Sequence, residues 1–480
     1  MTTAADVTGE VKRLRDGHPK RAFLDYRMVW RWHFYAGLFA IPFIIFLSIT
    51  GSIYLFRPQI ESWLDSPYDN LPGAQTALPS QVVAAVLAQN PGWMLHAYQL
   101  PKTPRSAAQV LISRKGIERR IYVDRSNLRI LKSIGEEERP MRVIFRLHGE
   151  LLSGNRGSNL VELAASWGIV MIITGLYLWW PRNVSGLGGL LYPRLGRGRR
   201  TTLRDLHAVT GLWVSIFALG FLLSGLPWAN NWGHYLKAVR HMTGAAPASQ
   251  DWTTGSAEEK QQRAARDAAA INAATMDDMP GMAMGGRAMK TAPLDAGGVF
   301  YVPAGIDRVM ATAAEQNLAP PVTVSPSTHR NGIWTAASQS QDRPLRAVIT
   351  MNPQTGKVVS RTDFDQLAWI DRLVGFTTAI HEGQFFGPLN QVSNLLLAAS
   401  LITVSVTAIW MWWTRRSPGL LGAPPFQASS QASWVLLPVV LGLGVLLPEF
   451  LVSLIVVLLI EWLVLRRIPA VRTWLALEPI

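Results

Sequence analysis

The chain has 480 residues, of which 49% are hydrophobic and only 16% are charged, and it contains 19 tryptophans. This composition excludes an ordinary soluble protein and indicates a chain that is anchored in a membrane. The net charge is +14, and the absence of cysteine excludes disulfides, thiolate metal sites, iron–sulfur clusters and covalently attached c-type haem.

Four apolar stretches without a charged residue have the length of a membrane-spanning helix. They are residues 34–56, 163–180, 208–228 and 389–413. Arg and Lys are concentrated in the N-terminal tail, between the second and third stretches, and just after the fourth. All three clusters lie on one side of the membrane if the N-terminus is cytoplasmic, as the positive-inside rule requires. The sorting of positive charge therefore explains the net charge, and nucleic-acid binding is not needed.

The long loop between the first and second stretches and the long loop between the third and fourth then lie outside the cytoplasm. Each begins with a predicted helix, at 80–90 with Ser80 as its N-cap and at about 306–317. Each continues with strand-like sequence that contains a hairpin signal, which begins at Asp124 in the first loop and at Asn352 in the second. We therefore expect a small α+β domain in each loop.

The second loop also contains a methionine-rich segment, 276–289, in a Gly- and Pro-containing context. The thioethers of Met276, Met279, Met282 and Met284 are soft ligands that suit copper(I). The alternative interpretation is an insertion in an Ala-rich linker, without any metal chemistry.

A further apolar region, 432–465, is interrupted at Pro448, and each half is short for a membrane span. Arg466 and Arg467 follow it and favour a hairpin that returns to the cytoplasm. One long kinked helix is the alternative.

The chain has the pattern of a tandem repeat, in which the first span matches the third and the second matches the fourth. The positions that recur are His33 and His207, Gly37 and Gly211, Gly51 and Gly225, His148 and His381, Thr174 and Thr407, and Trp179-Trp180 and Trp412-Trp413. The two halves should be related by an axis along the membrane normal, as in membrane proteins built from parallel repeats.

The repeat selects four of the nine histidines, namely His33, His207, His148 and His381. If the halves pack around a two-fold axis, His33 meets His207 near the cytoplasmic face. The other two histidines meet near the opposite face. Facing histidines on neighbouring helices suit a bis-imidazole haem, and the glycines four residues after His33 and His207 leave room for a flat macrocycle.

Other interpretations of these histidines stay open. Zinc is a weaker candidate, because each pair supplies two ligands and no cysteine is present. Glu150 and Glu382 lie near the outer pair in sequence and allow a His/Glu metal site there. Copies of one ancestral unit would also share histidines for structural reasons. Nearby arginines suit either haem propionates or topology signals: Arg31, Arg204, Arg142 and Arg146.

The segments around the four histidines, together with Thr174-Gly-Leu-Tyr-Leu-Trp-Trp-Pro181, resemble the PepSY-associated transmembrane helix family, and the two loops resemble PepSY domains. The resemblance covers roughly residues 25–416. That family includes inner-membrane ferric-siderophore reductases. The resemblance implies two b-type haems in a four-helix core. By this analogy His33 and His207 ligate an inner haem, and His148 and His381 ligate an outer one.

The predicted fold is a mainly α membrane protein with a tandem-duplicated four-helix transmembrane core, two periplasmic α+β PepSY-like domains and an extra C-terminal hydrophobic hairpin. In chain order we predict a cytoplasmic basic tail (1–32), the first span (33–57), a PepSY-like domain (58–147), an interfacial segment with the second span (148–181), a cytoplasmic basic loop (182–206), the third span (207–228), a second PepSY-like domain (229–380), an interfacial segment with the fourth span (381–414), a cytoplasmic linker (415–431), the hairpin (432–465) and a tail (466–480).

The predicted function is transfer of electrons across the bacterial inner membrane to reduce a ferric siderophore at the periplasmic face. The chain shows neither a flavin nor a nicotinamide motif, so a cytoplasmic flavoprotein or a membrane quinol would be the electron donor. No catalytic residue stands out near the substrate. A non-enzymatic PepSY-domain sensor or assembly factor is the alternative, as is a reductase of copper rather than iron.

Overall fold

A computed structural model of the chain describes residues 26–181, 186–244, 255–277, 305–327, 332–424 and 436–477. The chain divides into two units. The first unit is Met1–Ile44, Leu163–Ser215 and Ile402–Ile480, and the second unit is Ile45–Glu162 and Ile216–Leu401.

The helices and strands of the described residues are as follows. The helices are α1 (Tyr26–Leu55), α2 (Arg57–Asp65), α3 (Pro79–Gln89), α4 (Pro140–Glu150), α5 (Asn155–Trp179), α6 (Arg199–Gly225), α7 (Asn230–Met242), α8 (Gly255–Asp277), α9 (Ile306–Glu315), α10 (Trp369–His381), α11 (Pro388–Arg415), α12 (Leu436–Leu446), α13 (Pro448–Leu463) and α14 (Pro469–Trp474). The strands are β1 (Met94–Gln99), β2 (Ala108–Arg114), β3 (Ile117–Asp124), β4 (Arg129–Gly135), β5 (Val322–Ser325), β6 (Trp334–Ser338), β7 (Ala347–Met351) and β8 (Val358–Asp363).

Within the described residues, five helices are long and apolar enough to cross a membrane, namely α1, α5, α6, α11 and α13. Their most apolar segments have a mean hydropathy between 1.7 and 2.3. Large apolar side chains cover their surfaces, and Ile216 and Phe217 on α6 are 74% and 63% exposed. Water would not tolerate this much exposed apolar surface, whereas lipid solvates it. The protein is therefore a multi-pass membrane protein.

The apolar region near the end of the chain forms two helices, α12 and α13, with Leu447 alone between them. Pro448 begins α13, because proline suits the first position of a helix and cannot continue the preceding one. A Cβ built at Gly444 would lie 2.9 Å from Cδ2 of Leu451. In one straight helix residues seven positions apart are about 10 Å apart along the axis. The chain therefore turns sharply at Leu447.

The strands of the described residues form one antiparallel sheet in the second unit, in the order β4-β3-β2-β1-β5-β6-β7-β8. The first loop supplies β1 to β4 and the second supplies β5 to β8. The two sets join where β1 pairs with β5, with Tyr98 opposite Val324. The hairpin signals at Asp124 and Asn352 lie at the β3–β4 and β7–β8 connections. The expectation of one domain per loop did not anticipate a shared sheet.

The core of this sheet is also shared between the loops. Val83 on α3 and Val309 on α9 are fully buried in the same cluster of apolar side chains. Ser80, which we expected to cap α3, lies in its first turn instead, because the helix begins at Pro79. The Ser80 hydroxyl donates to Oδ2 of Asp307 on α9 at 2.6 Å, and this bond links the two helices.

The helix α8 follows α7 in the second loop but packs on strands β2 and β3 of the first. Polar contacts hold it there. The buried Asp267 accepts hydrogen bonds from Ser113 Oγ at 2.7 Å and from the Gly116 N–H at 2.7 Å. Arg263 binds Glu118 at 3.0 Å. We call this helix the α8 strap.

Candidate functional site

The first histidine pair lies in the first unit, on two membrane-spanning helices. His33 is in α1 and His207 is in α6, and their ring centres are 6.3 Å apart. The ring planes stand nearly perpendicular, at 81°. The structure therefore brings together two histidines that are 174 positions apart in sequence.

The second pair lies in the second unit and has nearly the same geometry. His148 is in the last turn of α4 and His381 is the last residue of α10. Their ring centres are also 6.3 Å apart, with the planes at 77°. Each of these helices precedes a span in the sequence, α5 in one case and α11 in the other.

The separation in both pairs has a simple chemical meaning. A nitrogen–metal bond is about 2 Å long, and the centre of an imidazole ring lies a little over 1 Å behind its nitrogen. Two imidazoles bound to opposite sides of one metal ion therefore hold their ring centres about 6.3 Å apart. Both pairs have the spacing that two axial ligands of a single metal would have.

Hydroxyl groups hold the second pair of imidazoles in one tautomer. Thr50 Oγ1 lies 3.0 Å from Nδ1 of His148, and Ser224 Oγ lies 2.7 Å from Nδ1 of His381. Each hydroxyl also donates its proton to a carbonyl of its own helix, at 3.0 Å for Thr50 and 2.8 Å for Ser224. Because a hydroxyl has only one proton, its oxygen accepts a hydrogen bond from Nδ1–H.

The first pair is held in the same way. Thr174 Oγ1 lies 3.0 Å from Nδ1 of His33 and donates to a carbonyl of its own helix at 2.8 Å. Nδ1 of His207 lies 2.9 Å from the carbonyl oxygen of Val404, which can only accept. Nδ1 of His207 is therefore protonated, and the other three histidines have the same tautomer when the hydroxyl gives its proton to its own helix. The unprotonated Nε2 is left as the nitrogen that can bind a metal.

Glycines lie beside three of these imidazoles, and at two of them a Cβ would crowd the ring. Gly51, Gly175 and Gly225 each directly follow the hydroxyl residue. A Cβ at Gly51 would lie 3.1 Å from Cε1 of the bound imidazole, and the corresponding distances are 3.2 Å for Gly175 and 4.0 Å for Gly225. At the fourth position of the repeat Ala408 follows Thr407, and a backbone carbonyl binds the imidazole instead.

The second pair is neutral at pH 7. Burial, and to a smaller extent the neighbouring His381, lowers the pKa of His148 to about 4. Burial likewise lowers the pKa of His381 to about 4. Neutral imidazole is the form that ligates metals, since its second nitrogen has a free lone pair.

The end of α10 that carries His381 is fixed by polar side chains. Asn390 and Asn394 are buried and donate to carbonyls in the last turn of α10, which have no partner within the helix. At the other end of α10, the buried Asp371 pairs with Arg240 of α7 at 2.9 Å. Both ends of the helix are therefore anchored within the second unit.

The arginines near the histidines already bind protein groups. Their partners are Pro424 O for Arg31, Asp205 for Arg204, Glu137 for Arg142, and Glu137 and Glu150 for Arg146. The interpretation of these arginines as partners of haem propionates therefore gains no support from their contacts.

A conventional polydentate metal site is not formed in the described part of the chain. No group of three or more His, Cys, Asp or Glu is arranged there to hold a metal ion. Glu150, which we considered as a ligand beside His148, lies 3.7 Å from Nε of Arg146. Glu382 accepts a hydrogen bond from Gln341 at 3.3 Å. The His/Glu alternative is therefore not supported for these residues.

The predicted copper segment falls almost entirely outside the described residues. Met276 belongs to the last turn of α8, and Met279, Met282 and Met284 lie beyond it. The copper interpretation stays a prediction.

The hydroxyl residues and the adjacent glycines belong to the candidate site, and sequence reasoning assigned them no part in it. Thr174, Gly51 and Gly225 were recognised as positions that recur in the repeat, but no role followed from recurrence alone. Thr50 and Ser224 stand directly before those two glycines. The signal that could have found them is a hydroxyl residue followed by glycine within a span, which occurs for three of the four histidines as Thr50-Gly51, Thr174-Gly175 and Ser224-Gly225.

The model of the PepSY-associated TM region family matches residues 30–415. The chain belongs to this family. Among curated proteins no match is found. The match includes all four paired histidines and both sets of strands, so the candidate site lies wholly within the part of the chain that defines a PepSY-associated TM protein. Residues 416–480, with α12, α13 and α14, lie beyond the match.

Proposed function

We propose that this PepSY-associated TM protein is a membrane electron-transfer protein that binds two b-type haems and reduces a ferric substrate, of the siderophore class, at the periplasmic face. The observation that supports the proposal is the shared geometry of the two histidine pairs. Both have ring centres 6.3 Å apart, and the hydrogen bonds at Nδ1 leave Nε2 of each ring available to a metal. This donor set fits a haem and does not fit zinc, which needs four ligands.

The residues of the chain have distinct roles in this proposal. His33 and His207 would hold one haem, and His148 and His381 the other. Bound between two imidazoles, a haem iron supplies a one-electron carrier. Thr50, Ser224 and Thr174 would fix the tautomer and rotation of the rings. A hydrogen bond accepted from Nδ1–H also makes the imidazole a stronger donor to the metal.

The proposed reaction requires an electron source on another molecule. One electron from a cytoplasmic flavoprotein or a membrane quinol reduces one Fe(III) to Fe(II), with the donor oxidised by the same electron. Hard oxygen ligands hold Fe(II) less tightly than Fe(III), so the reduction would release the metal from its chelate. The resemblance to siderophore reductases is the support for iron as the substrate, whereas the histidine geometry supports only electron transfer.

The first experiment is a spectrum of the purified full-length protein. We expect a red protein with about two haems per chain and a Soret band that shifts when dithionite is added. A colourless preparation from haem-sufficient cells would refute the proposal and favour a sensor or assembly role.

Single alanine variants test the ligand assignment. His33→Ala and His207→Ala should each lose one haem, and His148→Ala and His381→Ala should each lose the other. His241→Ala is the matched control, because His241 is exposed and has no counterpart in the repeat. Retention of both haems in all four variants would show that the ligands are wrong.

The substrate is tested by stopped-flow mixing of reduced protein with a ferric siderophore, with Cu(II) or with buffer. If the siderophore oxidises the haem, as followed by the Soret band, and neither Cu(II) nor buffer does so, the iron assignment is supported. Faster oxidation by Cu(II), abolished by deletion of 276–289, would transfer the proposal to copper.

A further inference from the structure

The region beyond the family match makes specific contacts with the span α5 in the first unit. The Trp167 indole N–H of α5 donates to Ser453 Oγ of α13 at 3.1 Å. The same indole packs edge-on against Phe450, with ring centres 5.2 Å apart. Phe450 is buried, although most of α13 is exposed. The helix α13 is therefore docked on α5 through one side.

The segment that follows α14 docks on the span α1 of the same unit. Arg31 donates through Nη1 to the carbonyl of Ala476 at 3.0 Å, and also to the carbonyl of Pro424 at 2.7 Å. The Tyr35 hydroxyl donates to the carbonyl of Leu475 at 2.5 Å. The carbonyls of Leu475 and Ala476 lie just past the end of α14, where the backbone has no helical partner.

The position of these contacts relative to His33 is informative. Arg31 and Tyr35 lie two residues before and two residues after His33. At 3.6 residues per turn, both project from the side of α1 that is opposite to the imidazole. On the imidazole side, Thr174 and Gly175 of α5 contact the ring. The helix that carries His33 is therefore held on both sides, and rotation of α1 about its axis would break contacts on each.

The positive-inside rule alone does not account for the buried position of Arg31. An arginine that only marks the cytoplasmic side of a span would extend toward water and lipid headgroups. Arg31 is instead 9% exposed, and its guanidinium binds two carbonyls from two different segments of the chain. Arg31 therefore connects α1 to the two chain segments that contain Pro424 and Ala476.

We propose that the segment 448–477 is an intramolecular clamp on α1 and α5, and that Arg31 and Tyr35 are positioning residues that set the orientation of the His33 imidazole. The contacts with Trp167 hold the clamp to α5, and the carbonyls of Leu475 and Ala476 hold it to α1. The clamp thereby joins the helix that carries His33 to the helix that carries its hydroxyl partner Thr174. The role in positioning rests on the proposed haem function, whereas the clamp itself does not.

The clamp is tested by electron paramagnetic resonance of a nitroxide attached to the Trp474→Cys variant of the full-length protein. The chain has no native cysteine, so the label reports this position alone. We expect an immobile label, which becomes predominantly mobile when Arg31→Gln or Tyr35→Phe is added. Arg197→Gln and Tyr192→Phe are matched controls at exposed residues outside the clamp and should leave the label immobile. A label that stays immobile with both Arg31→Gln and Tyr35→Phe would overturn the clamp.

Positioning is tested on the unlabelled variants by the low-spin haem signals and midpoint potentials of both haems. Tyr35→Phe and Arg31→Gln should shift the g-values and the potential of the haem that His33→Ala removes, and leave the other haem unchanged. A general loss of stability would affect both. A released label with unchanged haem signals would overturn the positioning role. A colourless wild-type protein would refute the proposed function instead, and label mobility would still decide whether the clamp exists.

Discussion

The chemistry of the four histidines is decided by the atoms around Nδ1. A threonine or serine hydroxyl binds Nδ1 in three cases and a backbone carbonyl in the fourth. In each case the acceptor atom belongs to a membrane-spanning helix. The imidazoles are thereby fixed before any ligand binds, which lowers the entropy cost of forming a metal bond.

The hydroxyl of Thr50 should influence the redox potential of the haem that we propose His148 to hold. In Thr50→Val the Nδ1–H of His148 loses its acceptor, so the imidazole becomes a weaker donor to the iron. Loss of one hydrogen bond of about 1 kcal/mol corresponds to a rise of about 40 mV in midpoint potential. Redox titration of the purified variant measures the change. Thr414→Val is the control, because the Thr414 hydroxyl bonds only to its own helix. A rise of equal size in both variants would contradict this role.

The glycine beside the hydroxyl should be required for space. Gly51→Ala places a Cβ 3.1 Å from Cε1 of His148, so the ring has to move by a few tenths of an ångström. We expect less than two haems per chain and a shifted low-spin signal for the remaining fraction. Gly220→Ala, where a Cβ would meet no atom within 4 Å, should keep both haems. Full haem content in both variants would show that the ring tolerates the contact.

At the scale of secondary-structure elements, charged contacts hold the α8 strap on the sheet. His96 of β1 lies against it, with Nε2 2.9 Å from Nη1 of Arg266 and 3.1 Å from Oε1 of Glu118. Arg263 binds the other oxygen of Glu118. Because these contacts depend on protonation states, the docking of the strap should depend on pH.

The strap should loosen in acid. Burial, followed by the charges of Arg266 and Arg263, lowers the pKa of His96 from 6.5 to about 3, while Glu136 acts in the opposite direction. A histidine with a lowered pKa stabilises the docked state above pH 6.5 and loses this contribution as the pH falls toward 3. At pH 5 docking should be weaker by on the order of tenfold.

A nitroxide on the Ala265→Cys variant measures this change. Ala265 is exposed on α8, so the label should become more mobile between pH 7.5 and pH 5. His96→Gln should remove most of the pH dependence. Glu118 opposes the loosening of the strap in acid, because burial raises its pKa and favours protonation in the docked state. An identical pH response with and without His96 would exclude the histidine as its cause.

At the scale of the whole molecule, the sorting of Arg and Lys predicts which ends of the spans are cytoplasmic. Two exposed serines provide a matched test, Ser126 in the β3–β4 turn and Ser417 after α11. In intact cells a membrane-impermeant maleimide should label Ser126→Cys and should label Ser417→Cys only after lysis. The opposite pattern would invert the orientation and place the His148–His381 pair on the cytoplasmic side.

Composition and periodicity predicted the membrane class, the apolar spans and the helices near 80–90 and 306–317, because these features depend on local sequence. The family resemblance, which the match over residues 30–415 confirms, was visible in the histidine and Trp-Trp pattern. The role of Ser80 was mispredicted. Its partner Asp307 is 227 positions away, and no local pattern encodes that contact.

The sequence by itself determined which histidines form a set, since their recurrence at matching positions can be read directly from the order of the residues. Only the tertiary structure decided how they are held, because the hydroxyls of Thr50, Ser224 and Thr174 reach them from other helices. The same is true of the sheet, where β1 pairs with β5 across more than 200 residues. Long-range hydrogen bonds and close packing depend on which helices become neighbours, and the hydrophobic pattern that sends a helix into the membrane does not specify its neighbour.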